Sequence, residues 1–183
     1  MAYYYFDFRE AEKQNRYGLL SSLLSQLCTG CDSFCDILSR LRSAHASGAR
    51  KPTDSALTKC LKDILLLPCR GPIYIIIDAI DECPNTTGMP SAREEVLELL
   101  QELVDCHFRN VFVCLTSRPE IDIQTDLETL APLQISLHDE IGQKKEIIDY
   151  INAVILSDKK MGKWRKEDRQ LVIDTLSEKA DGM

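Results

Sequence analysis

The chain has 183 residues and a formal net charge of −7, with 44% hydrophobic and 28% charged residues. That is one domain, or one plus a piece of a second, long enough to fold without disulfides or metals, and its composition excludes a disordered, collagen-like or low-complexity chain. Net acidity argues against general nucleic-acid binding, and no apolar stretch approaches the roughly 18 residues of a membrane span.

Charge is uneven along the chain: residues 1–72 carry a net +3, residues 73–138 a net −9 and residues 139–183 a net −1. The opening residues lack the basic and apolar regions of a signal peptide, so the eight cysteines read as reduced thiols of a cytoplasmic protein. Tyr3-Tyr4-Tyr5-Phe6-Asp7-Phe8 reads as a strand. Leu19, Leu20, Leu23, Leu24 and Leu27 recur at helical spacing, and Phe34, Ile37, Leu38 and Leu41 predict a second helix. Thr53 or Asp54 is placed to cap a third, with Leu57, Leu61, Ile64 and Leu65 on its inner face, and the stretch from Pro68 to Pro72 ends it.

Ile73-Tyr74-Ile75-Ile76-Ile77 is a continuous β-branched run, the pattern of a parallel strand buried on both faces. After a loop, residues 91–107 predict an amphipathic helix with Val96, Leu99, Leu100 and Leu103 inward and Glu94, Glu95, Glu98, Glu102 and Asp105 outward. Residues 111–116 predict a second buried strand, with Cys114 as a small core residue. Leu133 to Leu137 predicts a weak peripheral strand. Two helices follow, one on Ile147, Ile148, Ile151, Val154 and Ile155, the other on Leu171, Val172, Thr175, Leu176 and Ala180. Alternating strands and helices indicate an α/β fold with a parallel sheet over residues 1–138 and the start of a helical unit over 139–183.

The chemistry concentrates at two strand ends. The strand at 73–77 delivers Asp78, Asp81 and Glu82 to the rim of a parallel sheet where ligands bind. Asp78 fits a Mg2+ ligand, and Asp81 or Glu82 fits a group that orients water for phosphate hydrolysis. The plainer alternative is acidic punctuation between strand and loop. The strand at 111–116 ends in Thr116, Ser117 and Arg118. Parallel strands share a rim, so Arg118 is expected near those carboxylates, where it contacts a phosphate or makes an ordinary ion pair.

Together the two segments resemble Walker B and sensor 1 of the NACHT-type (STAND) P-loop NTPases, in the version seen in fungal NOD-like receptors and the nephrocystin-like N-terminal family. Tyr3 to Phe8, Leu19 to Leu27, Asp81-Glu82-Cys83, Thr116 to Glu120 and Ser177 to Met183 extend the resemblance over nearly the whole chain. It implies a signalling module, an ATP-dependent switch between an effector and a set of repeats. In such a module Asp78 holds Mg2+ through water, Asp81 or Glu82 positions the attacking water, and Arg118, with Thr116 beside it, senses the γ-phosphate.

One departure bears on activity. None of the eight glycines lies in G-x-x-x-x-G-K-S/T, whose backbone N–H groups and lysine cradle phosphates. In the family that loop and its strand precede the block matching residues 3–8, so the chain is expected to start after the phosphate site and, as it stands, not to bind or hydrolyse ATP. In the family the missing strand lies between those matching 111–116 and 133–137. An open edge, poor stability or self-association is expected.

Weaker patterns carry less. Cys28-x-x-Cys31-x-x-x-Cys35 has metal-like spacing but no fourth ligand nearby, and His45, His107 and His138 are isolated. Lys159 to Lys166, basic with one Trp, reads as a solvated link between helices. Two other function classes stand beside the leading one. One is a non-enzymatic module that associates with itself or with full-length relatives. The other is a metal-dependent phosphohydrolase built on Asp78, Asp81 and Glu82.

Overall fold

In a computed structural model the described residues are 1–29, 32–45, 50–67, 71–86, 89–131, 133–136 and 141–179. They form three strands and seven α-helices: β1 (Ala2–Tyr5), α1 (Arg16–Cys28), α2 (Asp32–Ala44), α3 (Asp54–Leu65), β2 (Ile73–Asp78), α4 (Ala92–Asp105), β3 (Val111–Leu115), α5 (Ile121–Glu128), α6 (Ile141–Ser157) and α7 (Lys166–Lys179). The chain divides into two compact units, Met1–Ala131 and Pro132–Met183.

In the first unit the sheet is parallel throughout, in the order β1-β2-β3. Tyr5 is level with Asp78 and Ile77 with Leu115, so all three C-terminal ends meet at one rim. Ala2 and Tyr4 of β1 and Ile73, Ile75 and Ile77 of β2 share one core with the leucines of α1, α3 and α4. Helix starts follow local chemistry: the side chains of Asn15, Thr53 and Ser91 each accept a backbone N–H of the first turn, and Ser91 and Glu94 close a reciprocal capping box. Of the two expected caps for α3, Thr53 is the one used.

Several expectations need correction. β2 is not buried on both faces: Tyr74 is 49% exposed and Ile76 half-buried, opposite the buried Ile73, Ile75 and Ile77. β3 is not a core strand but an edge, with Phe112, Val113 and Cys114 exposed. An apolar run reads as buried only when a layer lies on each side, and the helices of this core pack on one. On the other side Tyr74 stacks on Phe112 with ring centroids 5.5 Å apart. Residues 133–136 form no strand, and Leu137 lies outside the described residues. A strand needs a neighbour for its backbone groups. Nor does Glu102 face outward as a solvated charge: it accepts from Lys62 of α3 at 2.7 Å and from Arg16 of α1 at 3.1 Å. Those bonds, that of Lys62 first, lower the Glu102 pKa and tie three helices together.

In the second unit α6 packs on α7, with a short 3₁₀ turn at Met161–Lys163 between them. Ile155 is buried, but Ile148, Val154, Leu171 and Leu176 are exposed, so the inner stripe of each helix is narrower than the apolar pattern predicts. Lys159, Lys160, Lys163 and Arg165 are exposed in the link, as expected. Among the described residues no helix is long and apolar enough to cross a membrane.

Candidate functional site

The site is built where β2 and β3 end. Directly after Asp78 the backbone reverses at Ala79, which sits in the left-handed region at φ 56°, ψ 51°. A side-chain-bearing residue pays about 1 kcal/mol for that conformation, and β3 holds it there. The Ala79 N–H donates to Thr116 Oγ1 at 3.0 Å, and the Ile80 N–H to the Thr116 carbonyl at 3.1 Å. Thr116 in turn donates its hydroxyl proton to Asp78 Oδ1. One residue of β3's exit therefore fixes the whole turn that carries the carboxylates.

The reversal opens a 3₁₀ turn over Ile80–Glu82, and the three carboxylates fan out. Asp78 is exposed at the rim and pairs with no cation among the described residues. Asp81 turns toward β3: its Oδ1 accepts the Arg118 N–H at 3.0 Å, and its Oδ2 lies 3.5 Å from Arg118 Nε. Glu82 turns toward β1 and accepts the Phe8 N–H at 3.1 Å. The structure thus brings Asp78, Thr116, Asp81 and Arg118 together and sends Glu82 to the other side. The Asp81 side chain is 8% exposed and that of Arg118 77%, so the guanidinium is anchored at its inner edge and open to an anion at its outer one.

The exit of β1 adds a fixed charge pair. Arg9 Nε and Nη2 donate to the Asp7 carboxylate at 2.9 and 2.8 Å, and the Arg9 N–H adds a third bond at 2.9 Å. Those bonds, the guanidinium's first, hold the Asp7 carboxyl well below the usual carboxylate range.

Sequence reasoning missed Arg93. Its side chain is 7% exposed. It donates to the carbonyls of Asp81 at 2.6 Å and Cys83 at 2.9 Å, to Asp122 at 3.0 Å and to Glu120. It therefore clamps the turn after β2 to the segment after β3. Burial pulls its pKa down, but the bonds to Glu120 and Asp122 outweigh this and leave it raised. The available signal was positional: Arg93 lies on the helix stripe of Val96, Leu97 and Leu100, where a cation is kept only with partners.

For a cation, the rim offers one carboxylate beside one hydroxyl, Asp78 with Thr116. Mg2+ usually takes only one or two carboxylates and completes its shell with water and phosphate, so these two residues fit that ion bound together with a nucleotide. Among the described residues no three His, Cys, Asp or Glu side chains group as a self-sufficient metal site. Of the cysteine run, Cys31 lies outside the described residues, and Cys35 Sγ donates to the Cys28 carbonyl at 2.8 Å. Cys83 is fully buried, which pushes its thiol pKa up to about 12 and makes it inert. His45 and His107 are tied through Nδ1 to the Leu41 and Asp105 carbonyls, and His138 lies outside the described residues.

Residues 1–118 match the family model described as Nephrocystin 3, N-terminal. The matched segment contains all three strands and ends on Arg118. No curated protein and no solved structure matches the chain.

Proposed function

The chain belongs to the Nephrocystin 3, N-terminal family, and on that premise we propose that it is part of a NACHT-type nucleotide switch, supplying the rim that reads Mg2+ and the terminal phosphate of ATP. The observation that carries this reading is the joint placement of Asp78, which pairs with no cation among the described residues, and an outward-open Arg118 at the ends of adjacent parallel strands, linked through Thr116 and Asp81. Asp78, oriented by Thr116, would hold Mg2+ through water. That ion, when bound, neutralises developing phosphate charge. Arg118 would meet the γ-phosphate, with Asp81 steadying its backbone. Asp81 meets Arg118 through both oxygens, whereas Glu82 uses only Oε2, for the Phe8 N–H, so Glu82 keeps an oxygen for a water and Asp81 would have to share one. The reading makes the protein a cytoplasmic signalling component.

With no G-x-x-x-x-G-K-S/T among its glycines, the chain as it stands is not expected to bind or hydrolyse ATP. A bound ligand raises the melting temperature in proportion to the logarithm of its concentration over Kd. Millimolar Mg-ATP should therefore leave the melt unchanged. A rise of several degrees that disappears in Asp78→Ala would overturn the inactive assignment while supporting the rim.

A second reading has its own observation. Among the described residues no strand pairs with the outer edge of β3, and the sheet face bearing Tyr3, Tyr74 and Phe112 is apolar and exposed. Such an edge is a template for pairing, which supports a module that acts by associating with itself or with full-length relatives. It predicts nucleotide-independent self-association in sedimentation that Val113→Lys on the edge suppresses. A monomer at every concentration would remove it. A phosphohydrolase built on Asp78, Asp81 and Glu82 draws no support from carboxylates that point three ways.

A further inference from the structure

Residues 1–72 carry a net +3 in a chain of −7. Part of that excess gathers around one cleft. Between α1, α2 and α3 lies a cavity of about 310 Å³ whose lining includes Leu24, Leu41 and Leu57 together with Arg42, Arg50 and Lys51. Leu24 and Leu57 are 1% and 4% exposed, so its floor is continuous with the core. Among the described residues no carboxylate lines it. Among the described residues none of the three cations makes an ion pair. Instead Lys51 Nζ lies over the Tyr17 ring, 5.7 Å from its centroid.

The three cations are exposed at the mouth of the cleft, and its apolar floor opens between them. A ligand with an apolar body and one anionic end satisfies both. The volume stands at the small end of ligand cavities, which suits a single tail and excludes a peptide helix, whose diameter alone is about 10 Å. We propose that the cleft between α1, α2 and α3 binds a medium-chain alkyl anion, its tail on Leu24, Leu41 and Leu57 and its phosphate or carboxylate head among Arg42, Arg50 and Lys51. This site is separate from the strand-end rim and does not depend on the reading given to it.

The test is a titration of the isotope-labelled chain with octyl phosphate below its micelle threshold, followed by backbone amide NMR. Octanoate, octanol and inorganic phosphate serve as parallel arms. The expected result is saturable one-to-one binding that shifts amides of α1, α2 and α3. Octanol and inorganic phosphate should each bind at least about tenfold more weakly, because each keeps half of the contacts. Octanoate separates the head groups: binding equal to that of octyl phosphate means charge alone is read, and weaker binding means the phosphate is. Arg50→Glu with Lys51→Glu, both at exposed positions, should cost a further tenfold or so with an unchanged melt. Leu41→Trp, which fills the cleft, should block the tail. The proposal is overturned if nothing saturates at millimolar octyl phosphate, if the shifted amides lie elsewhere, or if the double charge reversal binds as well as the parent.

Discussion

Arg93→Ala is expected to lower the unfolding free energy by about 3 kcal/mol, the low end of what breaking a buried ion pair costs. The side chain is 7% exposed and serves four partners. Removing it strands the carbonyls of Asp81 and Cys83, each an orphaned acceptor worth about 1–3 kcal/mol if it stays dry. Glu120 and Asp122 are 43% and 37% exposed and can rehydrate, which keeps the loss from reaching the top of the range. Arg93→Lys should fall between, since an ammonium keeps the charge but cannot span carbonyls and carboxylates with one planar fork. Urea melts with an unchanged slope check both. A change below about 0.5 kcal/mol, the ordinary range of a surface substitution, would mean the clamp is ornamental.

Gly18→Ala is expected to destabilise by about 2 kcal/mol, against the usual sign. In a helix this change normally gains up to about 1 kcal/mol. Here a Cβ would lie 2.2 Å from the Glu12 carbonyl oxygen and 2.8 Å from the Tyr4 hydroxyl. Glu12 belongs to the 3₁₀ turn at Ala11–Lys13, and a backbone carbonyl cannot swing aside as a side-chain tip can. The Gly18 N–H is also committed, donating to the Asn15 cap at 2.9 Å. Beneath it the Tyr4 hydroxyl is buried with no hydrogen-bond partner among the described residues, and burial pushes its pKa up to about 12. A melting temperature equal to or above the parent's would show that the turn yields.

Helices with a broad apolar stripe were legible: α1, α3 and α4 bury the leucines their spacing marks. α5 was not. It has eight residues, one buried side chain, Ile123, and an N-cap, Glu120, whose side chain caps no backbone N–H, so it lacks both periodicity and a start signal. The strands at 73–78 and 111–115 were legible as strands but not in their burial, because local composition records apolarity and not what lies opposite. Tyr74 and Phe112 are apolar and exposed for that reason. At the rim, Asp78, Asp81, Thr116 and Arg118 were legible because a strand end dictates where the next residues go. The division of labour among the carboxylates was not. It depends on the left-handed Ala79 and on bonds to Phe8 and Arg118, contacts spanning 74 and 37 residues. Arg93 was hidden for the same reason: its partners lie up to 29 residues away, and only they make a cation on an apolar stripe tolerable.

The proposed nucleotide-reading role of Asp78, Thr116, Asp81 and Arg118 needs a phosphate cradle to act with. The direct test is to join a strand and G-x-x-x-x-G-K-S/T loop from a NACHT-type NTPase ahead of Met1, verify folding by circular dichroism, and measure Mg-ATP binding by calorimetry with and without Asp78→Ala. Mg-dependent binding that Asp78→Ala weakens by at least about tenfold, some 1.4 kcal/mol, is expected. A folded chimera that binds no Mg-ATP, or binds it equally well with Asp78→Ala, would contradict that role.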